Sequence, residues 1–332
     1  MVHTSTRDRH LRKFNSPLKL LPCIVLLAGM AVLLTAAPAA ATGTPEGGRA
    51  YDPAVAAMLA EINETELRIT TSDLQGFETR AFGTDGNREA GDYLYRRFAG
   101  IPELSVRFQG GDLRNVVATL PGSGSASGEV VIVGAHYDST SSDLTRAPGA
   151  TDNGCGVAIV LELARVMSRH SFDRTVVFGF WNAEEIGRYG SIAYAENAVS
   201  TSVPIVLYLN YDSTCYDPES RFILDIMYDE RSKDVAALMA DYNALYGTDF
   251  ALTRNRHTCT SDHVSFRERG YPAVTTHCEE HGPAHTPDDT VGQVSFPYAA
   301  RNARLGLPVL AEKAGLMEGE NSAAMPKARA AG

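Results

Sequence analysis

Short apolar runs bounded by polar or glycine-containing stretches recur along this chain, at residues 104–108, 115–120, 130–135, 175–181, 205–211, 222–227 and 273–277. Runs of that length, rich in Val, Ile, Phe and Tyr, predict strands. Between several of them, apolar residues return every three or four positions, over 87–98, 157–168, 185–197, 232–246 and 297–314, and helical patterning starts near Val55. That period predicts amphipathic helices. Strands alternating with helices imply an α/β fold whose sheet is covered on both faces. The low-complexity stretch GSGSASG, at 122–128, predicts a surface hairpin loop.

The first 41 residues stand apart from this pattern. Arg7, Arg9, Arg12, Lys13 and Lys19 precede or open the uncharged run LLPCIVLLAGMAVLLTAAPAAA. A basic stretch, an apolar stretch and small residues at 39–41 are the layout of a secretory signal, so cleavage is expected near Ala41 and the protein is expected to be exported. If retained, the run is long enough to anchor the chain in a membrane. The implied organisation is a signal at 1–41, a flexible segment at 42–54, one domain at 55–316 and a flexible tail at 317–332.

Setting the signal aside leaves 25 basic and 39 acidic residues, a formal charge of −14, which argues against nucleic acid as a partner. The remaining cysteines, Cys155, Cys215, Cys259 and Cys278, form no C-x-x-C pair. In an exported chain some would be oxidised; Cys259 with Cys278 is the first pairing to expect, although spacing alone leaves connectivity open.

Acidic residues and histidines gather where the predicted strands end: GAHYDS, FWNAEEIG and LYLNYDS, then PGATDNGCG before a helix and EEHGPAHTPDD after the last strand. Sites in covered α/β sheets form at such ends. His136, Asp152, Glu185, Asp212 and His285 offer two imidazoles and three carboxylates, a donor set suited to a pair of zinc ions. Their spacings of 16, 33, 27 and 73 residues make no local motif, so the fold must collect them. In Ala183-Glu184-Glu185, adjacent side chains point different ways, so Glu185 can bind metal while Glu184 serves as general base. A dinuclear zinc site acidifies its water and polarises a carbonyl while the base moves the proton.

GAHYDS, PGATDNGCG, NAEEIG, YLNYDS, TSDHVSF and AHTPDDT, with TRAFGTDGNREAGDYL upstream, occur in an order that resembles the co-catalytic zinc exopeptidases of the leucyl aminopeptidase and glutamate carboxypeptidase type. The resemblance covers about residues 72–314. It implies a three-layer α/β/α sandwich around a mixed, mostly parallel sheet. It also implies two zinc ions bridged by Asp152, with His136 and Asp212 on one and Glu185 and His285 on the other, Glu184 as base and Asp138 orienting the His136 ring. Asp262 matches a position near the active site that is not a ligand. Thr151 stands where several relatives have an acid, and Ala284 where they have a tyrosine that holds the oxyanion; His257 is a candidate for that donor role. Cys155, in place of a small residue, and His263 both read as structural.

The implied function is an exported, monomeric aminopeptidase acting on peptides with a free amino terminus, since an acidic site attracts an α-ammonium group. Alternatives are a one-zinc glutaminyl cyclase, related in fold; a carboxypeptidase of the same family, for which Arg254 and Arg256 could bind the substrate carboxylate; and a silent binding domain. His277 and His281 carry no assignment from sequence.

Overall fold

The structure is a computed structural model that describes residues 49–256 and 259–317. The expected signal and its cleavage site, most of the tail and His257 lie outside the described residues.

Eight strands form one sheet: β1 Ser105–Gln109, β2 Asn115–Leu120, β3 Val130–His136, β4 Thr175–Trp181, β5 Ile205–Tyr211, β6 Ile223–Tyr228, β7 Ala251–Arg256 and β8 Ala273–Cys278. Their order across the sheet is β1-β2-β4-β3-β5-β8-β6-β7. The central pairs β4/β3, β3/β5 and β5/β8 are parallel, as is β6/β7 at one edge, while β1/β2, β2/β4 and β6/β8 are antiparallel. The helices are α1 Pro53–Ala60, α2 Glu64–Gln75, α3 Asp85–Ala99, α4 Cys155–Met167, α5 Tyr189–Ser200, α6 Lys233–Leu245, α7 Asp262–Arg267 and α8 Phe296–Ala314.

Alternation along the central strands sorts the core into two layers. Val131, Val133 and Ala135 of β3, with Val176, Phe178 and Phe180 of β4, face the larger cluster built with α1, α2, α3, α4, α6 and α8. Val130 and Ile132, with Val177 and Trp181, face the other cluster, under α5 and α7. This is the three-layer α/β/α sandwich. Two facing glycines make room for the Trp181 indole: a Cβ on Gly134 would stand 2.8 Å from Trp181 Nε1, and one on Gly179 2.3 Å from its ring. Trp181 Nε1 then donates to the Tyr208 hydroxyl at 2.7 Å.

Two expectations are corrected, the hairpin and the cysteine pairing, and one strand lies outside the predicted set. The 122–128 segment does not close a hairpin, because β4 lies between β2 and β3 and pairs with both. Strand β7, ALTRNR, escapes the hydrophobic pattern because it is an edge strand with mostly exposed or half-exposed side chains. The disulfide joins Cys155 to Cys215, while Cys259 and Cys278 are free thiols. Cys278 Sγ instead lies within hydrogen-bond reach of the carbonyls of Ser213 and Glu280, to either of which its one S–H can donate. The Cys155–Cys215 bridge spans 60 residues and ties the segment carrying Asp152 to the one carrying Asp212. Closing a loop of that length stabilises the fold by about 4 kcal/mol in the chain-entropy account. The double variant Cys155→Ala/Cys215→Ala is therefore expected to unfold at clearly lower denaturant, and reductant should shift the wild type but not the variant.

Candidate metal centre

The parallel strands β3, β4 and β5 run in register, with His136 beside Trp181 and Gly134 beside Asn210, so their carboxyl ends open at one edge of the sheet. There His136 ends β3, Asp212 follows β5 and Glu184 and Glu185 follow β4. Asp152 arrives on the turn before α4, and His285 on the loop after β8.

These side chains converge. His136 Nε2 lies 3.2 Å from Asp152 Oδ1 and 3.3 Å from Asp212 Oδ1. His285 Nε2 lies 3.1 Å from both Asp152 Oδ2 and Glu185 Oε2. His136, Asp152 and Asp212 form one triad able to hold a metal ion, and Asp152, Glu185 and His285 form a second, with Asp152 common to both. Glu185 Oε1 is buried without a hydrogen-bond partner, as an oxygen meant for a cation would be. His136 Nδ1 faces the Asp138 carbonyl at 3.1 Å; donating its proton there makes the Nε2 lone pair available to a metal ion.

The electrostatics call for positive charge. Burial disfavours a charged His136 ring, but the charge of Asp212 and the hydrogen bonds the ring donates to Asp138, Asp152 and Asp212 outweigh it and hold the pKa well above its ordinary value. Hydrogen bonds that the ring donates to Asp152 and Glu185 push His285 up to about 11. Burial raises Glu185 to about 7, with Asp152 adding to the effect. Burial pushes Glu184 to about 10, reinforced by Asp262, Asp212 and Asp138 and opposed by His136. Cations beside Asp152 would favour the ionised form of these acids.

Asp138 does more than orient the His136 ring. Its carboxylate is 3.5 Å from His136 Nδ1, but it accepts the backbone N–H groups of Glu184 at 3.0 Å and Glu185 at 3.2 Å. It therefore joins the end of β3 to the loop that bears both glutamates. That loop is not the helix expected from residue 185: Ala183, Gly187 and Arg188 all have positive φ, and α5 begins only at Tyr189. Arg254 and Arg256 sit exposed on edge strand β7, away from the cavity of about 700 Å³ over the two triads. His277, His281 and Cys259 do line that cavity, with the rings of His277 and His281 packed edge to face at 4.7 Å between centroids. His263 and Asp262 are buried in α7.

The sequence pattern of Peptidase family M28 matches residues 115–309, more than half of the chain. The chain belongs to Peptidase family M28. It is thus an enzyme, a hydrolase of peptide bonds. Leucine aminopeptidase 1 of Leptosphaeria maculans is 26% identical over 295 residues, covering 80% of this chain and 74% of the relative. Among solved structures, the LapA aminopeptidase of Legionella pneumophila superposes with a TM-score of 0.73 at 22% identity, covering 81% of this chain and 78% of its own; that likeness speaks to the fold. BSAP, a zinc aminopeptidase from Bacillus subtilis, is 26% identical with a TM-score of 0.54, covering 63% of this chain and 51% of its own.

Two residues that hold the centre of this M28 peptidase together were not identified from sequence. Arg80 is fully buried and donates to the carbonyls of Leu74, Tyr137, Pro148 and Gly149. It ties the exit of β3 to the loop that delivers Asp152. Burial lowers its pKa to about 10, with Asp289 and Asp138 opposing the shift, so it is cationic at neutral pH. Asp289 accepts the Thr151 N–H and hydroxyl, both at 2.7 Å, and the Asp152 N–H at 3.0 Å. The stretch AHTPDDT contains Asp289, but the backbone atoms it grips lie more than 130 residues earlier, which no local pattern shows. Asp289→Ala leaves those donors unpaired and frees the Asp152 backbone. It is expected to weaken metal retention by about 10- to 100-fold, read as the chelator concentration that inactivates the enzyme.

Proposed function

We propose that this M28 peptidase is an exported aminopeptidase that holds two zinc ions and removes the amino-terminal residue of peptides. The observation that supports it best is the sharing of Asp152 between two imidazole-carboxylate triads. A one-zinc cyclase has no use for the second triad. Zinc suits donors that are imidazole nitrogens and carboxylate oxygens, and it agrees with the zinc aminopeptidase named among the structural relatives. The leucine aminopeptidase named among the sequence relatives supports amino-terminal cleavage. Export rests on the signal layout at residues 1–41.

His136 and Asp212 would hold one ion, Glu185 and His285 the other, and Asp152 both. Bound there, the ions would supply Lewis acidity toward a peptide carbonyl and acidify water. Glu184 lines the same cavity and belongs to neither triad. It would take a proton from the attacking water and pass it to the leaving amine. Asp138, holding the Glu184 and Glu185 N–H groups, acts as a positioning residue. The carboxylates around the cavity attract the substrate's ammonium group.

The test is zinc per chain together with hydrolysis of aminoacyl-anilides and peptides, each with a free or acetylated amino terminus. Two zinc ions and cleavage of unblocked substrates alone are expected. One zinc with cyclisation of amino-terminal glutamine would replace the proposal with the cyclase, and cleavage of acetylated peptides from the other end would replace it with a carboxypeptidase.

A further inference from the structure

The cavity over the two triads is also lined by Arg188 and Arg267, which neither triad uses. Nη1 of each guanidinium is buried and has no hydrogen-bond partner. Neighbouring arginines on the same side are paired: Arg269 with Glu196 at 2.6 Å and Arg231 with Asp229 at 3.3 Å. Arg188 and Arg267 form no ion pair among the described residues, although four carboxylates line the same cavity.

Both arginines stand at the ends of packed elements. Arg188 immediately precedes α5, and its N–H donates to the Glu184 carbonyl at 2.8 Å. Arg267 is the last residue of α7. The two helices are pinned together by a buried hydrogen bond of 2.8 Å between the hydroxyls of Ser191 and Ser265. The guanidinium groups are therefore carried on a fixed frame, which favours recognition of a defined group over loose attraction. A guanidinium fork matches a carboxylate with paired, charge-assisted hydrogen bonds, and a buried nitrogen without a partner gains most from such a ligand.

We propose that Arg188 and Arg267 form a carboxylate subsite, so that the preferred substrates are short peptides carrying a carboxylate beyond the scissile bond. The acidic end of the cavity takes the substrate's ammonium group and the two arginines take its anionic end. A cavity of about 700 Å³ is within the range that encloses a small ligand. The carboxylate can be the carboxyl terminus of a dipeptide or the side chain of an acidic residue after the cleaved bond; the chemistry of recognition is the same. This specificity rests on the aminopeptidase reading.

The experiment compares kcat/KM for Leu-Leu against Leu-Leu-amide and for Leu-Glu-amide against Leu-Gln-amide, in the zinc-loaded wild type and in Arg188→Gln, Arg267→Gln and Arg267→Lys. Charge-assisted hydrogen bonds predict that the wild type prefers the carboxylate member of at least one pair by about tenfold or more, chiefly through KM. The pair that shows the preference identifies the source of the carboxylate. The preference should fall toward parity in the glutamine variants and return in part with lysine. Parity in both wild-type pairs, with leucyl-anilide still cleaved, would overturn the subsite and leave the aminopeptidase reading standing. A preference that survives in both glutamine variants would overturn the assignment to these arginines. No cleavage of any unblocked substrate would bring down the aminopeptidase reading and the subsite with it.

Discussion

Glu184→Gln is expected to lower kcat by about 10²- to 10⁴-fold, the range removed with a general base, while zinc content and fold stay as in the wild type. The amide has the shape of the carboxyl but cannot take a proton. Glu184 belongs to neither metal triad, and its anchor to Asp138 runs through the backbone N–H at 3.0 Å, which the substitution preserves. The carboxyl is also mostly buried beside Asp262, Asp212 and Asp138, the neighbours that raise its pKa. Since burial already disfavours the charged carboxylate there, an uncharged amide of the same shape should leave thermal stability nearly unchanged. The measurement is kcat and KM on leucyl-anilide beside zinc per chain by atomic spectroscopy. Loss of zinc in parallel with activity would show that Glu184 supports the metal, and would refute its role as base.

Asp152→Asn should act through the opposite route, abolishing activity because the metal is lost. Asp152 is the one residue common to the two triads: Oδ1 stands 3.2 Å from His136 Nε2 and Oδ2 3.1 Å from His285 Nε2. An amide offers one neutral oxygen where the carboxylate offers two anionic ones, so it cannot bridge two cations. Loss of the Lewis acidity the ions supply is worth several kcal/mol at the transition state, about 10³-fold or more in rate. Zinc per chain after dialysis is expected to fall from the wild-type content toward zero, with circular dichroism unchanged because Arg80 and Asp289 still hold the surrounding backbone. Full zinc content in Asp152→Asn would mean that each triad binds without the bridge.

Much of the sheet was legible in the chain because the physical cause is local. Strands β2, β4 and β5 are bounded as their apolar runs are, since a strand inside a covered sheet must be apolar on both faces. Edge strand β7 was not legible for the converse reason: exposed positions are free to be Thr, Arg and Asn. The start of α5 was misplaced because acidic residues suit a helix amino terminus as well as a metal loop, and only the positive φ values at Ala183, Gly187 and Arg188 separate the two. The cysteine pairing could not be read from spacing at all. Cys155 and Cys215 meet because the Asp152 and Asp212 segments are neighbours at the strand ends.

By itself the sequence determined the class of fold and the family, and it offered the side chains from which a metal centre could be built, because hydrophobic period and donor chemistry are properties of the residues and their order. Only the tertiary structure decided which donors meet. It made Asp152 common to two triads, turned the Asp138 carboxylate toward the glutamate loop, and set Arg80 and Asp289 under the centre. It also left Arg254 and Arg256 on an edge strand while bringing Arg188 and Arg267 to the cavity. The physical reason is distance along the chain: contacts between residues tens to hundreds of positions apart depend on the register of parallel strands and the packing of helices over them, and no local pattern encodes those.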